Sequence, residues 1–396
     1  MRRLLQTGGG VPVRYLLSMI LITAGTLAPA QDIDTTPEPA WFVRAIAERF
    51  SGARSYTFDG TIELARKNGE QAREVVGRYG VKVAVAPQGK FLLWVGDKQS
   101  PQYIVVCDGS RTWVYVPDTN QYVNLDALVR TAPVDPDDVF SSGVLDRDRN
   151  PIFCSSLIVP IMSRVNREAT LVEMKQTDAN EEPGDRQLRT LTVLSEKSEH
   201  TGQSITEMLV DPQTADVEHL EWSHSCTVGD EPRFAILTAE LENLQLGGPI
   251  APSSFVFNAD GAQEVKELPI ADLNGSALAG QPAPDFEFET RAHSKTHLSG
   301  LKGHPVLLMF SAPDCPPCGR QWTVLSELQR TRKDLDLTIL QIGLDRSNVH
   351  RLYGVEFLPT LIAIDASGNV VRSLPGARDK AAVEEVLKEI GLPAQP

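Results

Sequence analysis

Two thiols, Cys315 and Cys318, enclose a pair of prolines, Pro316 and Pro317. The apolar run from Val306 to Phe310 has the length and bulk of a buried strand, broken at Ser311 to Asp314. Trp322, Leu325 and Leu328 then recur at a helical spacing. The cysteines therefore stand where a strand ends and a helix begins, a context in which Cys-x-x-Cys reads as a redox pair. The first turn of a helix carries unpaired N–H groups and a partial positive charge, which favour a thiolate over a thiol. A thiolate there is a good nucleophile at neutral pH, and a second thiol three residues on resolves the mixed disulfide that forms. This assigns Cys315 as the exposed attacker and Cys318 as the resolver, the pair closing to Cys315–Cys318 when oxidised. Pro316 and Pro317 preset φ at the first helical positions, where no N–H is needed.

Other chemistries for the pair need residues to match. A structural zinc site wants a second Cys/His pair, and none follows nearby. Haem attachment needs His directly after Cys318, where the chain has Gly319. An inert structural disulfide remains the bland alternative.

Three motifs, in order, carry a resemblance. Gly280-Gln281-Pro282-Ala283-Pro284-Asp285-Phe286 runs towards Leu298-Ser299-Gly300-Leu301-Lys302-Gly303-His304-Pro305, then come Cys315-Pro316-Pro317-Cys318 and Tyr353-Gly354-Val355-Glu356-Phe357-Leu358-Pro359-Thr360-Leu361-Ile362. From Gly280 to about Leu392 the chain resembles the TlpA/ResA-like thiol-disulfide oxidoreductases of the thioredoxin superfamily. The resemblance implies a cis Leu358–Pro359 bond beside Cys315, with the Leu358 backbone pairing to an extended client segment. Such strand addition relies on main-chain bonds and is weakly selective for sequence. It also implies substrate contacts from Pro316 and Pro317; no cofactor and no metal are expected. The chain departs from the family in three places. Asp314 replaces the usual Trp, and a carboxylate there opposes thiolate formation. Met309 occupies the place of a buried acid, and no room remains between Asp345 and Tyr353 for an extra strand and helix. A peroxiredoxin shares the Pro-Asp-Phe opening but needs Pro and Thr or Ser where this chain has Leu308 and Ala312.

The elements that hold the pair belong to a longer chain. Its 396 residues fit two domains better than one. A net charge of −14, spread rather than bunched, argues against a nucleic-acid partner. No Gly-rich phosphate loop or serine-hydrolase elbow stands out. Arg2, Arg3 and Arg14, the apolar stretch Tyr15 to Leu27 and Ala28-Pro29-Ala30 read as a secretory signal over residues 1–30, with an uncleaved anchor as the alternative. Export to the periplasm or the outer face of the envelope allows disulfides to persist.

Phe42, Ile46 and Phe50 mark one helix, and alternating runs from Ser55 to Val116 and from Leu188 to Leu244, with a last run Ser254 to Phe257, predict an antiparallel, strongly curved sheet. Asp108 to Tyr122, Leu209 to Thr214 and Pro252 to Asn258 resemble segments of the LolA/LppX-like envelope half-barrels, which implies an open basket able to hold a lipid or other apolar ligand. Pro151 to Val165 is then a lid or, more simply, core packing. His224 and Cys226 alternate onto one strand face and His219 onto the other, against a shared metal site. Cys107 reads as a buried small hydrophobe, and the sequence does not choose a pairing among Cys107, Cys154 and Cys226.

The expected architecture is thus an N-terminal antiparallel β half-barrel with helices over residues 38–265, a linker over 266–279 and a thioredoxin-like α/β domain over 280–396. The expected function is thiol-disulfide exchange on client proteins bearing thiols or disulfides, supported by an electron-donating redox partner. The rival is a non-catalytic lipid carrier or sensor with a thioredoxin-like docking module.

Overall fold

Phe58, Gly60, Ile62 and Leu64 occupy every second position of one strand and are all buried, the alternation that sets one face of a sheet on a core. The computed structural model describes residues 38–393 except 69–70, 98–99, 130–150, 167–168, 177–187, 196–202, 229–230, 267, 269–277, 290–293, 314 and 344–346. The expected leader over residues 1–30, and Asp314 with its carboxylate, lie outside that set.

The strand-rich region contains β1 (Tyr56–Asn68), β2 (Glu74–Ala86), β3 (Lys90–Asp97), β4 (Ser100–Asp108), β5 (Thr112–Val116), β6 (Gln121–Leu125) and β7 (Leu128–Val129). It continues with β8 (Ala169–Gln176), β9 (Arg189–Ser195), β10 (Gln203–Val210), β11 (Val217–Val228), β12 (Glu231–Leu246) and β13 (Gln263–Glu264). All of these except β7 join one 12-stranded sheet in the order β13-β6-β5-β4-β3-β2-β1-β12-β11-β10-β9-β8. Neighbours are antiparallel apart from the short parallel pair β13 and β6. Among the described residues the sheet is open, with β13 and β8 at its edges, and does not close into a barrel. Gly60 permits the closest approach in it: a Cβ there would sit 1.8 Å from the Glu240 carbonyl oxygen of β12.

Helices α1 (Pro39–Gly52) and α2 (Pro151–Arg164) cover this core. Pro39 starts α1 where its missing N–H costs nothing, and Phe42, Val43, Ile46, Ala47 and Phe50 form its buried face. From α2, Ile158, Ile161 and Met162 are buried in the same cluster, so the described part of this apolar segment packs as core.

One strand prediction fails. Ser254 to Phe257 is not a strand; Pro252–Phe255 forms a 3₁₀ turn. Pro252 lacks the N–H a ladder requires, and side chains hold the segment instead. Phe255 is buried, and the Phe257 ring packs on Tyr122 and Trp113 at centroid distances of 5.0 and 6.0 Å.

The C-terminal region contains β14 (Glu287–Glu289), β15 (Lys295–His297), β16 (Val306–Phe310), α3 (Pro316–Thr331), β17 (Thr338–Ile342), α4 (Ser347–Leu352), β18 (Phe357–Leu358), β19 (Thr360–Ile364), β20 (Val370–Pro375) and α5 (Lys380–Glu389). Its central sheet has the order β17-β16-β19-β20, with β16 and β17 parallel and the rest antiparallel. Every residue of β16 is buried, as its unbroken apolar run predicts for a central strand. Asp379 caps α5 by accepting the Ala382 N–H at 2.8 Å, and Gly391 ends it at a φ of 88°, a left-handed conformation that suits glycine.

The described residues form two hydrophobic clusters, one under the large sheet and one around β16. Leu268 belongs to the first and Leu278 to the second, and most of the expected linker lies outside the described residues. Two neighbouring residues divide the same way: Phe357 is buried in the sheet-region cluster and Leu358 in the other. Leu128 packs against both.

Candidate functional site

Strand β16 delivers the chain to Cys315, and α3 begins one residue later. Cys315 is the N-cap of α3, with extended dihedrals of φ −106° and ψ 96°. Pro316 and Pro317 remove two of the N–H groups that a first turn normally leaves unpaired. The Cys318 N–H remains and points at Cys315 Sγ, 3.3 Å away. A backbone donor thus aims at the sulfur that would carry negative charge on reduction, the arrangement that favours a thiolate. The two sulfurs are joined as a disulfide.

Beside the pair lies the loop from Tyr353 to Pro359. The Leu358–Pro359 bond is cis, as the family resemblance implies. The Leu358 carbonyl oxygen is 3.8 Å from Cys315 Sγ. The Thr360 hydroxyl donates to the Phe357 carbonyl at 2.7 Å, and the Gly376 N–H donates to the Pro359 carbonyl at 2.8 Å, so the loop is tied on both sides of the proline. Further back, buried Tyr353 donates to the Pro284 carbonyl at 2.8 Å. Burial, with the Asp285 charge second, holds its phenol far above the usual range, so the hydroxyl stays a donor.

Cys315, Pro316, Pro317, Cys318, Leu358 and Pro359 therefore come together at one place. The expected exposure of Cys315 needs correction: it is only 7% exposed, against 4% for Cys318, because Leu358 lies against its sulfur. The pair is still not sealed. An open cleft of about 590 Å³ is lined by Ala312, Cys315, Pro316, Cys318, Trp322 and Gln341 among others. Pro317 and Leu358 are buried and do not line it.

Gln341 and Gln321 escaped the sequence reading. Gln341 donates to the Ser311 hydroxyl at 3.0 Å on the cleft wall. Gln321, fully buried one turn beyond Cys318, accepts the Arg378 N–H at 2.6 Å and joins α3 to the turn before α5. A polar residue buried on an otherwise amphipathic helix face was the only signal available. Met309, at the place of the family's acid, is fully buried in the core.

The remaining candidates lie apart from this site. Cys107 is a free, fully buried thiol on β4, and the side chains of Cys154 and Cys226 lie outside the described set. His224 is buried and bonded through Nδ1 to the Ser204 hydroxyl at 2.8 Å. His219, on the opposite face of β11, pairs with Glu240 at 2.8 Å. Among the described residues no group of three His, Cys, Asp or Glu side chains is placed to hold a metal ion.

Residues 279–392 match the AhpC/TSA family. The chain is 27% identical over 134 residues to thiol-disulfide oxidoreductase ResA of Bacillus thuringiensis subsp. konkukian, a match covering 28% of this chain and 78% of that protein. It is 28% identical over 133 residues to the thioredoxin-like protein YneN of Bacillus subtilis, covering 27% and 78% respectively. Among solved structures, a thiol:disulfide interchange protein of the thioredoxin family from Chlorobium tepidum TLS is 25% identical, with a TM-score of 0.22, covering 27% of this chain and 93% of that one. The C-terminal region is thus a thioredoxin-like domain similar to ResA, and residues 38–278 lie outside the family match.

Proposed function

We propose that the thiol-disulfide oxidoreductase chemistry indicated by the ResA-like relatives is carried by Cys315 and Cys318, with Leu358 and Pro359 presenting the client. The observation that carries this reading is the meeting of three features at one sulfur: the N-cap position of Cys315, the Cys318 N–H aimed at it, and the Leu358 carbonyl beside it.

In the reducing direction, the Cys315 thiolate attacks one sulfur of a client disulfide. A Cys315–client disulfide forms and the other client sulfur leaves as a thiolate, which takes a proton. Cys318 loses its proton and attacks Cys315 Sγ, releasing the second client thiolate. Two electrons pass from the pair to the client, and the Cys315–Cys318 disulfide remains. Each further turnover needs a dithiol donor that takes the disulfide and returns two electrons and two protons. The same steps reversed oxidise a dithiol client.

We further read the protein as exported, on the strength of residues 1–30 and of a disulfide that suits an oxidising compartment. No helix among the described residues is long and apolar enough to cross a membrane. The open, helix-backed antiparallel sheet is compatible with the LolA/LppX-like resemblance. Lipid carriage is not part of the proposal, because side chains of α1 and α2 themselves pack into the core of the sheet.

The test is Cys318→Ser. With the resolver removed, Cys315 should accumulate as a mixed disulfide with clients or with a model disulfide, visible as a mass adduct released by reductant. Failure of the reduced variant to form any adduct would remove the assignment of Cys315 as attacker.

A further inference from the structure

The backbone edge beside Pro359 is already paired. Strand β7 lies antiparallel to β18, with Leu128 opposite Leu358 and Val129 opposite Phe357. β7 comes from the strand-rich region, and its lead-in is tied there by the Thr112 hydroxyl donating to the Ala127 carbonyl at 2.8 Å. The preceding residue, Asp126, grips the other side. Its carboxylate takes a forked pair of bonds from Arg320 of α3, Nε to Oδ2 at 3.1 Å and Nη2 to Oδ1, and its carbonyl accepts the Ala377 N–H at 2.9 Å. Four consecutive residues of one region thus lie along the strand, the helix and the turn that frame the sulfurs of the other.

An extended client joining the Leu358 backbone by strand addition needs that same edge. Meanwhile, the cleft lined by Cys315, Pro316, Trp322 and Gln341 gives small molecules another approach. We propose that Asp126–Val129 is an internal client mimic that occupies the strand-addition edge, so that protein disulfides react only after this segment is displaced, whereas small disulfides react through the cleft. The inference rests on the assignment of Cys315 and Cys318 as the exchanging pair. It also describes the displacing client: an extended segment with an acidic side chain for Arg320, followed after one residue by two apolar side chains to replace Leu128 and Val129. The ladder is two residues long and the Arg320 side chain of the ion pair is 55% exposed, so each of these holds is weak, while the apolar contacts Leu128 makes with the thioredoxin-like core are ones the client's own apolar side chain replaces.

The experiment compares two disulfides with the reduced full chain: cystamine, small enough for the cleft, and insulin, which must present backbone. Asp126→Ala combined with Leu128→Ala should raise the rate with insulin about tenfold and leave the rate with cystamine within about twofold. Asp126→Ala alone, which breaks the exposed ion pair and leaves Arg320 free for the client, should raise the insulin rate about threefold, the scale of an exposed ion pair. If both variants react with insulin no faster than the native chain while cystamine still reacts, the occupied edge has no regulatory meaning and the proposal is overturned, with the redox assignment intact. If the native reduced chain does not react with cystamine, the redox assignment fails and takes this proposal with it.

Discussion

Replacing Cys315 by Ser is expected to bring disulfide exchange down by roughly three orders of magnitude or more, equivalent to about 4 kcal/mol of barrier. A serine hydroxyl does not ionise near neutral pH and forms no mixed disulfide, so both half-reactions lose their first bond. The loss should be chemical rather than structural. Cys315 is the N-cap of α3 and accepts the Cys318 N–H at 3.3 Å, and serine is among the preferred N-cap residues for that bond. Circular dichroism and thermal melting of reduced Cys315→Ser should therefore match the reduced native chain while its exchange with cystamine disappears. Exchange at an undiminished rate would mean that another thiol does the work. Cys107, fully buried under the sheet, is poorly placed to do it.

The second large effect concerns the seam between the two cores. Phe357 is 1% exposed and packs with the cluster under the large sheet, although its neighbour Leu358 belongs to the thioredoxin-like core. Phe357→Ala should lower the stability to chemical denaturant by about 3 kcal/mol, the usual scale for emptying a buried phenylalanine site. It should also change the shape of the transition. The described residues from Glu38 onward fall in one compact unit, and Phe357, carried on the chain of the thioredoxin-like region, buries its ring in the core under the large sheet. Once it is removed, the two cores should melt as separate steps, one followed by near-ultraviolet signals and the other by alkylation of the Cys315–Cys318 pair after reduction. A loss below about 1 kcal/mol, with a single transition, would show that the side chain carries no weight at the seam.

What the amino-acid order discloses here is what short-range chemistry controls. The unbroken apolar Val306–Phe310, the two prolines after Cys315 and the helical spacing of Leu325 and Leu328 mark the strand, the cap and the buried helix face by local chemistry alone. The cis bond at Pro359 came from motif resemblance; local propensity favours trans. Strand β8 was missed because it lies at the sheet edge, where Leu171 is 46% exposed and Glu173 and Lys175 interrupt the apolar pattern. Ser254 to Phe257 was misread because its aromatic content mimics a strand, whereas Pro252 and the docking of Phe255 and Phe257 decide its conformation.

The contacts of Asp126–Val129 had no local signature. Asp126 and Arg320 are 194 positions apart, and a short acidic-apolar stretch after β6 looks like any strand exit. That pairing depends on how two regions meet, which is set by the surfaces of both and written in neither segment alone. The exposure of Cys315 was overestimated for the same reason: the helix start was predictable, but the proximity of Leu358 to its sulfur is a tertiary fact.

The most direct test of the account is a redox titration of the full chain in dithiothreitol buffers of stepped potential, with the thiols of Cys315 and Cys318 counted by alkylation and mass. A single reversible two-electron transition is expected, approached to the same midpoint from the oxidised and the reduced side, with both cysteines labelled together. A pair that stays closed across the whole range while the chain remains folded, or that opens only on unfolding, would be a structural staple and would contradict it.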